Sequence, residues 1–142
     1  MLEFLGQAIS LEQLNTVSNI GMSSFLKIEF TEIGTDYLIA KMPVNERTTQ
    51  PMGILHGGAS VVLAETVGSI ASNFYVTATN KGQYCVGQSI NANHIRPASK
   101  GFVYAKCRPL HLGKTSHVWS IQITNEDKKL VCQSRLTMAV IK

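Results

Sequence analysis

Residues 57–73 read GGASVVLAETVGSIASN, and this stretch decides the architecture. Ala59, Leu63, Val67, Ile70 and, just beyond, Phe74 recur at three- and four-residue steps, the spacing that lines one face of an α-helix. The predicted helix runs from Gly57 to Asn73. Val61, Val62 and Ala64 fill its other faces, so it is apolar around most of its surface and must be covered. Between His56 and Lys81 the only formally charged side chain is Glu65. An unpaired carboxylate in such surroundings is costly, so one that is kept there serves either a structural ion pair, a solvent-facing position or a function. The stretch Gly57–Asn80 is as long as a segment that spans a bilayer. Glu65, Gly68, Ser69, Ser72 and Asn73 argue instead for a helix enclosed by its own protein, with small residues at 68, 69 and 72 admitting neighbouring backbones.

Working outward, Ser10-Leu11-Glu12-Gln13 has capping-box spacing and Gly21 follows as a stop, which predicts a short N-terminal helix. From Phe25 the period changes to two: Leu26, Ile28 and Phe30 share one face of a predicted strand. Gly34-Thr35-Asp36 supplies a turn into a second strand, Tyr37–Val44. Beyond Gly82 four more strands are expected, near Tyr84–Ile95, Phe102–Leu110, His117–Thr124 and Leu130–Ile141. The order is helix, two strands, long helix, four strands, with no repeat or linker. It fits one α+β domain over residues 1–142, an antiparallel sheet wrapped around a single central helix.

With 13 Lys and Arg against 9 Asp and Glu, the net charge is +4. The basic residues are scattered and not interleaved with aromatics, which argues against a nucleic-acid surface; the modest positive bias suits a small polyanionic ligand. The N-terminus lacks the basic and apolar regions of a signal peptide. Cys85, Cys107 and Cys132 are odd in number, widely spaced and set in strand-like segments, as buried free thiols in a reducing cytoplasm would be. Gly113-Lys114-Thr115 resembles the end of a phosphate loop, but Arg108 stands where that motif needs glycine. No serine lies in a G-x-S-x-G elbow. His111 and His117 lack a third ligand at metal spacing, so no metal is expected.

The segment before the long helix, Arg47-Thr48-Thr49-Gln50-Pro51-Met52-Gly53-Ile54-Leu55-His56-Gly57-Gly58, raises the functional reading of Glu65. Two glycines at a helix start leave backbone N–H groups accessible, and the helix dipole adds positive charge. A thioester carbonyl under attack develops the oxyanion that such donors stabilise. Glu65 lies roughly 12 Å along the helix from Gly57 at 1.5 Å per residue, too far to serve one carbonyl from one chain. Antiparallel packing of two copies would bring Gly57 of one to Glu65 of the other, which predicts a site at a twofold interface.

Gln50-Pro51-Met52-Gly53-Ile54-Leu55-His56-Gly57-Gly58-Ala59 followed by Glu65 resembles the signature of hot-dog fold acyl-CoA thioesterases, in particular those acting on 4-hydroxybenzoyl-CoA and 1,4-dihydroxy-2-naphthoyl-CoA. The likeness extends through Asn91–Arg96 and Pro109–Gly113. It implies that Glu65 acts as nucleophile or general base, that the Gly57 N–H polarises the carbonyl, that Gln50 positions substrate or water, that His56 supports the oxyanion or leaving-group side, and that Ser69 supplies a supporting hydrogen bond. It further implies that coenzyme A is held by Gly87, by His94, Ile95, Arg96 and Pro97, and by His111, Leu112, Gly113, Lys114, Thr115 and Ser116, with Arg96 and Lys114 suited to phosphates. No cofactor beyond the CoA of the substrate is implied, and the expected assembly is a cytoplasmic dimer of dimers. Three alternatives stay open: a hot-dog hydratase or dehydratase, whose expected Asp/His pair is missing here; a non-catalytic acyl-CoA sensor; and a thioesterase acting on acyl carrier proteins.

Overall fold

The chain alternates between buried and half-exposed residues along most of its strands, and six of these close into one antiparallel sheet. The structure, a computed structural model, describes residues Met1–Lys142. In chain order it contains β1 (Leu2–Phe4), β2 (Gln7–Ile9), α1 (Leu11–Ser18), α2 (Gly21–Phe25), β3 (Glu29–Ile33), β4 (Leu38–Pro43), α3 (Gly57–Thr79), β5 (Tyr84–His94), β6 (Phe102–Leu112), β7 (Ser116–Thr124) and β8 (Leu130–Ile141). The sheet order is β3-β4-β6-β7-β8-β5, and α3 packs on one face of it against β4 to β8. The α+β architecture read from the sequence, a sheet around one long helix, is the one observed.

Only one face of α3 is enclosed: Ala59, Leu63, Ala64, Val67, Gly68, Ala71, Ser72 and Val76 are buried, while Val61, Val62, Glu65, Thr66, Ser69 and Ile70 are half-exposed. The helix is long and apolar enough by composition to cross a membrane, yet its buried face meets Ile121 and Leu136 of the sheet, with Gly68 leaving room for the Leu136 side chain. A Cβ on Gly68 would stand 2.5 Å from Leu136 Cδ2.

Three expectations need correction. Gly21, expected to stop the first helix, instead opens α2, and α1 already ends at Ser18 with Asn19 as its C-cap. The strand expected from Phe25 starts at Glu29; Phe25 ends α2 and Lys27, at φ 61°, turns the chain into the sheet. Leu26, Ile28 and Phe30 are nonetheless all buried, so the alternation marked the right side chains but not their backbone. The long helix continues past Asn73 to Thr79, because Val76 keeps the buried stripe going and no breaker intervenes. The hairpin β1–β2 was not anticipated: Leu5 and Gly6, both at positive φ, make its two-residue turn, the geometry that suits tight hairpins. It serves to place Phe4 in the core, where its ring stacks on Trp119 at 6.3 Å. The capping box at α1 is present as read, with Ser10 and Gln13 satisfying each other's backbone N–H groups.

Two asparagine amides act as stand-in strands at the two ends of the sheet. Asn15 of α1 accepts from the Phe30 N–H at 2.7 Å and donates to the Phe30 carbonyl at 3.0 Å. Asn73 of α3 does the same for Cys85 at the start of β5, at 2.8 and 3.0 Å. Beyond Cys85 the outer edge of β5 has no such cover, and Val86 to Ser89, Asn91, Asn93 and His94 are exposed. A polar group inside the core completes the packing: the Trp119 indole N–H donates to the Ser72 hydroxyl at 2.6 Å, and that hydroxyl faces His117 Nδ1 at 3.1 Å.

Replacing Asn73 by Ala leaves both Cys85 backbone groups unmatched and should cost about 1–3 kcal/mol, read as a lowered denaturant midpoint with an unchanged slope. Burial, and secondarily the charge of His111, hold His117 below its ordinary value. The unfolded chain then takes up a proton that the folded chain resists, so stability should fall as pH drops below about 6.5. His117→Gln should flatten that dependence in denaturation series at several pH values.

Candidate active site

The loop before α3 is a small hairpin. Thr48 is buried, its hydroxyl donating to the Pro43 carbonyl at 2.8 Å, and its carbonyl accepts from His56 N–H at 2.8 Å. Gln50 pairs back to Ile54 at 2.9 Å, Gly53 turns the tip at φ +79°, and the Gln50 side-chain oxygen accepts from the Met52 N–H. Leu55 N–H is tied to the Ala98 carbonyl at 2.7 Å. These ties fix where α3 begins and bring Gln50, Gly57, His94, Ile95, Arg96 and Pro97 to one open cleft of about 420 Å³, with Ser60 at its floor.

His56 caps the helix: its Nδ1 accepts from the Gly58 N–H at 2.8 Å. That bond places the ring proton of the neutral form on Nε2, pointing away from the helix. The Gly57 N–H, one position earlier, has no acceptor within the chain and is the free donor of the first turn. His94 stands over it; a Cβ on Gly57 would lie 2.8 Å from His94 Nε2. A glycine is therefore needed for packing as well as for donor access.

Glu65 sits elsewhere. It lines a separate shallow cleft of about 300 Å³ with Met22, Val61, Val62, Thr66 and Ser69. Its surroundings are apolar as expected, but it is half-exposed rather than enclosed by the sheet. The only two ion pairs in the chain, Arg47–Glu46 and Arg108–Asp36, do not involve it. Its carboxylate lies against β5, where a Cβ on Gly87 would meet Oε2 at 2.9 Å. Gly87, expected to meet CoA, is thus placed beside the acid. Ser69 shares the Glu65 cleft one turn further on, as its spacing suggested.

The remaining residues expected at CoA divide between the two ends of α3. Arg96 lies near Gly57, with its guanidinium donating to the Leu130 carbonyl at 2.7 Å. Leu112, Gly113, Lys114 and Thr115 instead line a cleft of about 540 Å³ at the C-terminal end of the helix. His111 is exposed with its ring over Gly113, and Ser116 opens β7 with its carbonyl accepting from Gly113 N–H at 2.8 Å. One chain therefore brings together Gln50, Gly57 and His94 to Pro97, and separately Glu65, Ser69 and Gly87, but does not join the two groups. Met22 and Ser60 escaped the sequence reading: no pattern in α2 or at the first turn of α3 signals that they face these clefts. No cluster of three His, Cys, Asp or Glu side chains is placed to hold a metal.

The thioesterase superfamily matches residues 52–132, more than half the chain and inclusive of Gly57, Glu65 and Gly87. The chain is 51% identical over 133 residues to the 1,4-dihydroxy-2-naphthoyl-CoA hydrolase of Escherichia coli (strain K12), covering 94% of this chain and 96% of that protein. It is 49% identical over 133 residues to the proofreading thioesterase EntH of Cronobacter turicensis, covering 94% and 95%. Among solved structures, a variant of thioesterase PA1618 from Pseudomonas aeruginosa superposes with a TM-score of 0.90 at 47% identity, covering 95% of this chain and 96% of that one. Thioesterase HI1161 from Haemophilus influenzae gives 0.90 at 46%, covering 96% and 93%. With a free helix-start donor, an unpaired carboxylate and this likeness along nearly its full length, the chain belongs to the thioesterase superfamily and is a thioester hydrolase of the hot-dog fold.

Proposed function

We propose that this enzyme hydrolyses aromatic acyl-CoA thioesters, 1,4-dihydroxy-2-naphthoyl-CoA foremost, at a site shared by two copies of the chain. The observation that carries the reading is the separation of Glu65 from Gly57: each is unpartnered, each opens to a cleft, and the clefts are distinct. Medium-chain acyl groups are a secondary substrate class. Similarity to the EntH proofreading thioesterase favours one further reading, release of wrongly loaded acyl groups from carrier proteins.

The thioester carbonyl sits with its oxygen on the Gly57 N–H of one protomer, within reach of Gln50 and His56. Glu65 of the other protomer approaches the carbonyl carbon. It either attacks directly, forming a mixed anhydride that water later opens, or takes a proton from an attacking water. In both routes the carbonyl electrons move onto an oxygen held by a preformed donor, the C–S bond breaks, and CoA leaves as a thiol after protonation. Ser69, in the Glu65 cleft, orients the carboxylate or the water. Arg96 and the Lys114 loop hold the phosphates. The exposed outer edge of β5 is the surface on which a second copy would pair, since long bare edges invite strand addition, and a pair of such dimers gives the tetramer. The chemistry needs neither metal nor added cofactor, and the three free cysteines suit a cytoplasmic setting.

Glu65→Gln should lower kcat on benzoyl-CoA by about 10³ or more while the far-ultraviolet spectrum and midpoint of unfolding stay near wild type. Wild-type turnover in that variant would remove the acid from the mechanism. Thiol release across aromatic, aliphatic and carrier-bound thioesters, with chelator present, ranks the substrate classes and tests independence from metal.

The shared site has its own test. Glu65→Gln and Gly57→Ala chains, each inactive alone, should recover about a quarter of wild-type activity when mixed through unfolding and refolding, because half the dimers are hybrids and each hybrid restores one of two sites. Absence of recovery would place the whole site within one chain.

A further inference from the structure

Ser60 lies at the floor of the Gly57 cleft and is only 1% exposed. Its hydroxyl makes no hydrogen bond within the chain, although a helical hydroxyl commonly turns back to the carbonyl four residues earlier. Thr16, Thr77 and Thr79 do so, donating to the Glu12, Asn73 and Tyr75 carbonyls at 2.8, 2.6 and 2.8 Å. The corresponding acceptor for Ser60 is the His56 carbonyl, which already accepts from the Ala59 and Ser60 N–H groups at 2.9 and 3.3 Å. Every fully buried side-chain nitrogen or oxygen has a partner, so the sliver of Ser60 that stays accessible is its Oγ. That atom opens into the cleft.

A side chain on an α-helix leans toward the N-terminus and covers the turn before its own Cα. Ser60 therefore reaches back toward Gly57, three residues earlier and roughly 4.5 Å away along the axis at 1.5 Å per residue. An acceptor atom seated about 3 Å from both the hydroxyl and the free Gly57 N–H fits that spacing. The other polar groups of the cleft are mostly donors too. Gln50 Oε1 is engaged by the Met52 N–H, which leaves the amide NH₂ to donate. Arg96 carries only donors. No aspartate or glutamate lines the cleft, and the Ala98 and Val131 carbonyls are taken by the Leu55 and Ile95 N–H groups at 2.7 and 2.8 Å. His94 is the exception, since a neutral ring can also accept.

A half-dry pocket rich in donors is a place for an oxygen that gains charge. We infer that the Ser60 hydroxyl is a second donor to the thioester oxygen, beside the Gly57 N–H. The inference rests on the reading in which Gly57 holds that oxygen. As the attacking oxygen bonds to the carbonyl carbon, the π pair moves onto the oxygen held by both donors. It returns when the C–S pair departs with sulfur, which takes its proton from water. Ser60 keeps its own proton throughout, and its hydrogen bond strengthens as the charge grows. Ser60 is thus a catalytic residue, one that touches the reacting atoms without exchanging a proton with them.

Two substitutions close in size to serine test this. Ser60→Ala should lower kcat on benzoyl-CoA by about 10² with KM within about threefold, because a donor that acts chiefly in the transition state moves kcat. Ser60→Cys fills the same space, but its S–H donates weakly, so it should stay as slow as the alanine variant. Near-wild-type turnover in either variant would overturn the assignment. The second readout is the infrared carbonyl band of bound S-phenacyl-CoA, isotope-labelled at that carbonyl, which keeps an aromatic carbonyl but has no thioester bond to break. In the wild-type protein the band should fall below that of the free ligand, and Ser60→Ala should return it part of the way. A lowered wild-type band that Ser60→Ala leaves in place sinks the role of Ser60 alone, whatever the rate. A wild-type band equal to that of the free ligand sinks the seat of the carbonyl on Gly57, and the role of Ser60 with it.

Discussion

The structure depends on one unmet demand: α3 is apolar on two faces and its own sheet covers only one. The enclosed stripe from Ala59 to Val76 is packed on β4 to β8, and the hydrophobic gain there holds the single layer of sheet to the helix. The stripe containing Val61, Val62 and Ile70 is half-covered at best. Glu65 lies on that second stripe, so the acid is positioned by a surface that one chain leaves incomplete. Whatever finishes the packing of the helix therefore also closes the surroundings of the carboxylate and reduces its access to water.

Glycines mark the closest approaches. At Gly57 the missing side chain makes room for the His94 ring, and at Gly87 it makes room for the Glu65 carboxylate. In both places backbone and side chain meet nearer than any Cβ permits. The two contacts run between α3 and β5, the edge strand, so the geometry of both clefts is set by how the helix lies on the least protected strand of the sheet.

The long helix, five of the six strands of the sheet and the capping box were legible because each rests on local periodicity or on a spacing within one turn. The family was legible because Gln50 to Ala59 and Glu65 form a compact signature. The hairpin at Leu5-Gly6 was not, since three-residue strands are too short for alternation to register. Phe25 to Ile28 misled because side chains on a short helix, a turn and a strand can all point inward at every second position. At the site, the roles of Gln50, Gly57 and Glu65 were suggested by sequence, whereas the placement of Gly87 beside Glu65 and the division of the residues expected at CoA between opposite ends of α3 depend on long-range packing. The polar contacts around His117 join residues 72, 85, 117 and 119, which no local pattern connects.

The asparagine at the β3 edge carries a consequence for growth of the sheet. Because the Asn15 amide occupies the Phe30 N–H and carbonyl, a further strand finds those groups already taken, and the α1 segment that bears Asn15 lies in its way. Addition can proceed from the β5 side alone. A sheet extendable in one direction only terminates once two molecules have joined edge to edge, so the same amide that steadies a monomer also forbids the open-ended fibre that two bare margins would permit.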